Sequence, residues 1–355
     1  MTERTFQPNG CQYITNTIQA AQANGHHSAV ITGNWEIDTA IRIPGDFTLI
    51  LEGCHLRMAE GCYSNMFVNY HHDTDLGRTT AGTDRNISII GKNGPVLDGG
   101  IYNGLSEKTQ LKNGLPPIWK NNLILFTNVD GFHISGISCR NQRWWALNFV
   151  YCCNGTLTNI DFCACDIGID ENGQAYRGLK RNKYEEILVK NADGIDLRQG
   201  CHHISVDEIT GFCEDDSVAI TGLPGRLEKS FTVEGLSGDI HDITVKNVCT
   251  TSFWANVRLL NQGGVRLYNV LVDGVNDTSE NSPHLDKSGY GVRVGDARLY
   301  GSRHATAEET ANITIRNVNS RGKYAVSLAG AMSNLTLENI EGIGGTPVLE
   351  DLRNQ

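Results

Sequence analysis

Three aspartates stand out as groups that could do chemistry: Asp193 in the run Asn191-Ala192-Asp193-Gly194-Ile195-Asp196, and the adjacent pair Asp215-Asp216. Asp193 and Asp215 are 22 residues apart, an interval at which a strand-and-turn pattern also repeats. If one solenoid turn takes 22 residues, the two sit on neighbouring rungs, about 5 Å apart along the axis. Three carboxylates held that close are costly to keep charged together, so their pKa values are expected to separate. A protonated and an ionised carboxyl on one rigid wall is the arrangement needed for acid and base work on a glycosidic bond. The competing use of the same residues is an Asp-rich turn or a calcium site.

The elements that must hold them are written in a repeat of apolar residues at i, i+2 and i+5. Phe132, Ile134 and Ile137 form one copy, and Gly155, Leu157 and Ile160 the next. Further copies are Ile204/Val206/Ile209, Ile243/Val245/Val248, Val265/Leu267/Val270, Ile313/Ile315/Val318 and Leu335/Leu337/Ile340. Alternation at i and i+2 is the strand period, and recurrence at a fixed interval marks a solenoid. Asn159, Asn247, Asn269, Asn317 and Asn339 fall at i+4. Asparagine tolerates the left-handed backbone that turns a strand round a corner, and stacked copies can hydrogen-bond to one another. Glycine is abundant, 39 residues against 8 prolines, which suits a coil with many tight corners. The pattern predicts an all-β fold, a single-stranded right-handed parallel β-helix forming one domain over residues 1–355. Ile14, Ile18 and Ala21 share a helical face before Asn24-Gly25, so a short cap within residues 1–30 closes the first rung. Phe47–Leu51 and Ile87–Ile90 read as early rungs. The steps from Val206 to Val245 and from Leu267 to Ile315 exceed one turn, so they hold loops or an extra rung. Asp277–Ser288 reads as one such loop and Asp166–Glu186 as a charged insertion.

Composition narrows the partners. The net charge of −10 disfavours nucleic acid and repels long acidic polymers, whereas a short or neutral sugar chain is easier to accept. No apolar run reaches the ~20 residues of a membrane span. The start, Met-Thr-Glu-Arg-Thr, lacks a basic-then-apolar leader, which predicts a cytoplasmic protein. Eleven cysteines, an odd number without Cys-x-x-Cys spacing, read as reduced core residues, Cys139, Cys152 and Cys249 among them. Trp144 or Trp145 could stack on a sugar ring or lie in the core. Asp196 reads as a partner of the catalytic carboxylates or a turn residue, and Arg198, His202 and His203 stay open between site and surface.

These segments together resemble glycoside hydrolase family 28, the polygalacturonase group. Leu51-Glu52-Gly53 and Ile90-Gly91 with Leu97-Asp98-Gly99-Gly100 resemble its early rungs, and Asn141-Gln-Arg-Trp-Trp145 its Asn-Ser-x-x-Trp segment. Asn191-Ala192-Asp193 is similar to its Asn-Thr-Asp motif, Asp215-Asp216-Ser-Val-Ala219 to Asp-Asp-Cys-Ile-Ala, and Asn256-Val257-Arg258-Leu259 to Gly-Val-Arg-Ile. The resemblance implies an inverting hydrolase with Asp215 as general acid and with Asp193 and Asp216 holding and deprotonating the attacking water. It implies substrate contacts at Asn191 and Arg258, and neither cofactor nor metal.

Two positions depart from the family. Its Gly-His-Gly histidine has no clear counterpart; the candidates are Glu234, by position, and His241, reaching in from the next strand. Its Lys after the Arg is Leu260 here, which removes one of two cations that grip a substrate carboxylate. The expected function is exo-acting, inverting cleavage of short pectin-derived or related oligosaccharides. A β-helix lyase or epimerase, and a non-catalytic carbohydrate-binding or tailspike-like protein, are the alternatives.

Overall fold

The computed structural model describes residues 5–100, 120–142, 145–164, 168–169, 175–176, 193–224 and 228–353. The chain coils as a parallel β-helix in which most rungs contribute one long and one short strand. Long strands Val129–Arg140, Cys153–Cys163, His202–Cys213, Ile240–Ser252, Leu267–Asp277, Thr310–Ser320 and Ser333–Gly342 pair in that order within a 13-stranded sheet. Short strands Leu147–Val150, Ile195–Arg198, Val218–Gly222, Ala255–Asn261, Tyr290–Val294 and Tyr324–Leu328 stack in a 10-stranded sheet. Phe47–Glu52 and Asp84–Lys92 are early rungs of the long-strand sheet and pair in parallel, as their sequences suggest.

The apolar repeat points inward. Ile134, Leu157, Val206, Val245, Val272 and Ile315 are each fully buried and lie in register on successive rungs. Burial of each such side chain contributes roughly 1.5–3 kcal/mol, so the stacked aliphatic columns dominate the stabilisation. Gly155 takes an apolar place in the repeat because the Phe132 ring from the rung below fills it, and a Cβ there would overlap that ring. The Phe132 ring stacks on Phe149 at 4.7 Å.

Each rung turns two corners through left-handed residues. One lies at i+4, where Asn159, Glu208, Asn247, Gly274, Asn317 and Asn339 all have positive φ. The other lies just before i, where Asn154, His203, Asp242, Asn269, Asn312 and Asn334 have φ between 52° and 55°. An ordinary L-residue loses roughly 1–2 kcal/mol in this conformation, which explains the choice of Asn and Gly. The amides form ladders: Asn339 donates to Asn317 at 3.1 Å, Asn334 to Asn312 at 3.0 Å and Asn312 to Asn269 at 3.1 Å.

The sequence register needs correcting in one stretch. Ile243 and Val245 pair with Val270 and Val272, 27 residues on, not with Val265 and Leu267. Asn269 therefore belongs to the corner before i, beside Asp242, rather than to the i+4 column. The pattern match was ambiguous because Val265 and Leu267 are also apolar and two apart. Val206 pairs directly with Val245, and Val272 with Ile315, so the long intervals hold loops and no additional rung. Within the loop expected at 277–288, Ser279–Asn281 form a 3-10 turn. Of the insertion at 166–186, only a two-stranded antiparallel ribbon, Gly168–Ile169 with Ala175–Tyr176, lies within the described residues.

The cap is a helix, Gly10–Ala23, with Ile14 and Ile18 buried against the first strands. It ends in a Schellman turn. His26 N–H donates to Ala21 O and Gly25 N–H to Gln22 O, both at 2.9 Å, with Gly25 at φ 72°.

Candidate functional site

The carboxylates lie where long strands turn into short ones. Asp193 and Gly194 lead into Ile195–Arg198, and Asp215, Asp216 and Ser217 lead into Val218–Gly222. Ile195 pairs with Val218, a step of one residue more than the sequence interval, so the rung neighbour of Asp193 is Asp216 rather than Asp215. The backbone locks this register: Gly194 N–H donates to Asp216 O at 2.9 Å and Ile195 N–H to Ser217 O at 3.0 Å. Position 194 must be small, because a Cβ there would stand 2.6 Å from Ser217 O and 2.9 Å from Cys213 Sγ. Close approach of the two rungs follows from that glycine.

Hydrogen bonds then aim the acids. Asp216 N–H donates to Asp193 Oδ1 at 2.8 Å, and Ala255 N–H donates to Asp216 Oδ1 at 3.0 Å. One carboxylate oxygen from each of Asp193, Asp215 and Asp216 lies within 4.8 Å of the others. Asp193 and Asp216 are buried, at 7% and 6% exposure, while Asp215 is open to solvent.

Burial and mutual repulsion raise the whole group. Crowding by protein atoms, then the charge of Asp193, pushes Asp215 up to about 8, with Arg258 opposing and solvent screening part of the push. Asp216 rises well above the ordinary carboxyl range through burial and then through Asp215. Asp193 is raised less, because the Asp216 amide and Arg198 offset its burial. Asp196, fully buried, is raised well above the usual range by burial, against the pull of Arg198. The cluster titrates as a unit, with Asp193 best placed to carry charge and Asp215 best placed to carry an exchangeable proton.

A column on the outer face of the short-strand sheet supports this group. In register it reads Asp196, Ala219, Arg258, Arg293, Ser327, Glu350. Arg258 Nη2 donates to Asp296 at 2.7 Å, and its Nη1 stands 3.9 Å from Asp216 Oδ2. Burial works against the charge of Arg258, but Asp216, Asp296 and Asp215 outweigh it and raise its pKa. Arg293, unanticipated from the sequence, donates to Ser327 Oγ at 3.0 Å and lies 3.5 Å from Glu350. A repeated Val-Arg-aliphatic pattern, Val257-Arg258-Leu259 and Val292-Arg293-Val294, was the signal for it. Leu260 is buried at 7% exposure and adds no charge to this wall.

Other expected residues are placed differently. Trp145 is 6% exposed, with the Arg198 guanidinium 3.6 Å above its ring and Arg198 in turn donating to Asp196 at 2.7 Å. The ring forms the floor beneath Arg198 and leaves no face for a sugar, which corrects the stacking expectation. Glu234 is exposed on the loop after Val218–Gly222, where its N–H donates to Arg78 O at 2.8 Å, away from the acids. His241 opens the strand Ile240–Ser252, beyond the far end of the short strands, so it does not reach in beside Asp215. The rung neighbour of Asp215 is instead Trp254, whose N–H donates to Asp215 O at 3.2 Å. Its ring is half-buried, 5.5 Å from Tyr290, with the guanidinium groups of Arg258 and Arg293 at 5.8 and 5.4 Å from its centroid. The 39-residue step from Val206 to Val245, applied to Asp215, lands on Trp254. Asn191 and Trp144 lie outside the described residues.

No protein-family model matches the chain, and no curated protein matches it in sequence. Solved structures match in fold. A double mutant of the tailspike protein of E. coli bacteriophage HK620, in complex with a pentasaccharide, aligns with a TM-score of 0.59 at 12% identity over 98% of this chain; the chain spans 62% of that protein's length. A 1,3-α-1,4-β-D-galactose-4-sulfate-3,6-anhydro-D-galactose-2-sulfate 4 galactohydrolase aligns with a TM-score of 0.59 at 12% identity, covering 99% of this chain and 88% of its own. The endo-xylogalacturonan hydrolase from Aspergillus tubingensis gives 0.53 at 12% identity, with 98% and 92% covered. What these neighbours share with the chain is the parallel β-helix.

Proposed function

We propose that the protein is a glycoside hydrolase of the polygalacturonase-like type, acting on short oligosaccharides with Asp215 as general acid. The observation that carries this reading is the asymmetry of the cluster. An exposed carboxyl raised to about 8 stands within 4.8 Å of a buried carboxylate that is raised less and receives a backbone N–H. Asp215 gives its proton to the leaving glycosidic oxygen as the bond to the anomeric carbon breaks. A water attacks that carbon and passes a proton to Asp193, with Asp216 holding the water. Solvent access at Asp215 lets the two carboxyls return to their starting protonation. The likeness in fold to carbohydrate-cleaving β-helix proteins and the family 28 motifs support the same assignment.

One distance favours a second stereochemical course. Inverting pairs usually sit ~6.5–9.5 Å apart and retaining pairs ~5–5.5 Å, and the nearest oxygens here are closer than either range, within 4.8 Å, on the retaining side. Inversion holds if water sits beside the Asp193–Asp216 pair; direct attack by one of those carboxylates gives retention. The substrate reading is a sugar that needs no uronate at the Arg258 subsite, because Arg258 is already committed to Asp296 and Leu260 brings no second cation.

The test is a panel of neutral, uronate and sulfated oligosaccharides, with products read by mass and the first-formed anomer by proton NMR. New reducing ends support hydrolysis, and the anomer decides between inversion and retention. A product absorbing in the ultraviolet at a new double bond identifies a lyase and overturns the proposal. Sugar binding without cleavage identifies a non-catalytic binding protein.

A further inference from the structure

The corner column before the long strands is an asparagine ladder with one interruption. Asn154 precedes it, and Asn269, Asn312 and Asn334 follow it, while the two rungs between carry His203 and Asp242. These left-handed residues are each preceded by a histidine, His202 and His241, which face one another in register. The rings of His202, His241 and Tyr268 stack at 4.8 and 4.9 Å with interplanar angles of 3° and 15°, which fixes how the imidazoles present their nitrogens. Asp242 Oδ1 is held by the Asn269 amide at 3.0 Å. That leaves Oδ2 facing both His241 Nδ1 at 2.7 Å and His203 Nε2 at 3.6 Å. The other nitrogen of His203, Nδ1, is 2.8 Å from His202 Nδ1.

We propose that His203 Nε2, His241 Nδ1 and Asp242 Oδ2 form a binding site for a borderline divalent metal ion such as zinc, separate from the aspartate cluster. Two imidazoles and one carboxylate suit that class of ion, and soft or purely oxygen-seeking ions less well. Metal–ligand bonds of about 2.0–2.1 Å in a tetrahedron put ligand atoms about 3.3 Å apart, between the two separations found here, 2.7 and 3.6 Å. His202 Nδ1 can accept the Nδ1–H of His203, selecting the tautomer that leaves Nε2 free for metal, which is the usual role of a partner behind a ligating histidine. Asn269 does the same for the carboxylate. Solvent reaches His203, at 55% side-chain exposure, so an ion can enter and a water can complete the shell. The ion would tie together two successive rungs whose chain leaves for a long loop between them. The proposal does not depend on the hydrolase reading.

The experiment is calorimetric titration of untagged full-length protein with zinc chloride, alongside magnesium and calcium chlorides. The double variant His203→Asn/Asp242→Asn supplies at both places the residue that neighbouring rungs carry, so the left-handed corner and the fold are kept. Expected are one zinc per wild-type chain, none at equal concentration for the double variant, and retained binding for Asp215→Asn. His202→Phe should weaken zinc roughly 10–100-fold while ligands stay in place. Cobalt(II) added to wild type should give the visible bands of a low-coordinate nitrogen–oxygen site, lost in the double variant. Equal zinc binding by wild type and the double variant would mean scattered surface histidines and would overturn the site. So would loss of zinc in Asp215→Asn, or no zinc binding by wild type.

Discussion

Replacing Asp215 by Asn removes the proposed proton donor without changing its shape, and the size of the loss can be worked out beforehand. General acid catalysis contributes about 10²–10⁴ in rate, equivalent to roughly 3–5 kcal/mol of activation free energy. A carboxyl at about 8 is almost fully protonated at pH 6, and at pH 9 only about one-tenth of it is, so wild-type activity should fall about tenfold per unit above pH 8. The variant should lose that alkaline limb with its activity. The sharper assay compares two leaving groups on the sugar that wild type cleaves: an ordinary sugar alcohol, which needs a proton, and a dinitrophenolate, which does not. Asp215→Asn should be crippled on the first and close to wild type on the second. Asp193→Asn, which removes the acceptor of the water's proton, should be slow on both. If Asp215→Asn loses equally on both substrates, or if wild type shows no alkaline limb, Asp215 is not the acid and the pKa argument for it fails.

Further outcomes follow from the packing. Asp216 carries a raised pKa, so between the ordinary carboxyl value near 3.8 and its raised value the folded state binds the extra proton and stability falls as pH rises. Asp216→Asn keeps an oxygen for the Ala255 N–H, and urea unfolding across that window should show a shallower fall with pH; an unchanged slope refutes the assignment. Arg258→Met removes the cation beside Asp216 and the hydrogen-bonded partner of Asp296, which keeps Arg293 at 3.7 Å, and should cost about 3–5 kcal/mol in the same assay. On substrate, a uronate oligosaccharide and its carboxyl-reduced form should be cleaved at similar rates; cleavage abolished both by reduction and by Arg258→Ala shows that the carboxylate is read after all. Asn317→Ala places an ordinary residue at φ 56° and should cost roughly 1–2 kcal/mol, with Asn317→Gly costing less. Equal losses would mean that the amide ladder, not the backbone, sets the preference.

Much of this architecture could be read in the sequence, because a solenoid repeats one local rule. The i, i+2, i+5 triads at 132, 204, 243, 313 and 335 all fall on inward faces of long strands, and Asn159, Asn247, Asn317 and Asn339 turn the corner expected of them. Registry was harder. Spacing counts residues along the chain, whereas rungs pair by backbone hydrogen bonds, so Asp193 met Asp216 instead of Asp215 and Val245 met Val272 instead of Leu267. The acids were visible as a cluster, but their supports came through steps of irregular length: Trp254 after 39 residues and Arg293 a further 35 beyond Arg258. Trp145 misled because an aromatic near a sugar site reads the same whether its face is open or capped by Arg198. Glu234 was matched by motif position and His241 by reach from the next strand, but the strand Val218–Gly222 has already carried the chain to the opposite end before either residue.

The rung-to-rung step runs from 20 residues, between Ser28 and Thr48, to 57, between Phe67 and Ile124, while the pairing along the axis stays regular. The coil thus has a fixed pitch and a free perimeter. Length added outside the strands changes only how far the chain strays before it returns, so whole loops around the carboxylates can be exchanged without moving them. A single residue added inside Ile195–Arg198 would do the reverse, turning Asp196 and Arg198 toward the core and Leu197 outward. Novelty in such a molecule can gather at the corners, and the wall that holds the carboxylates stays where it was.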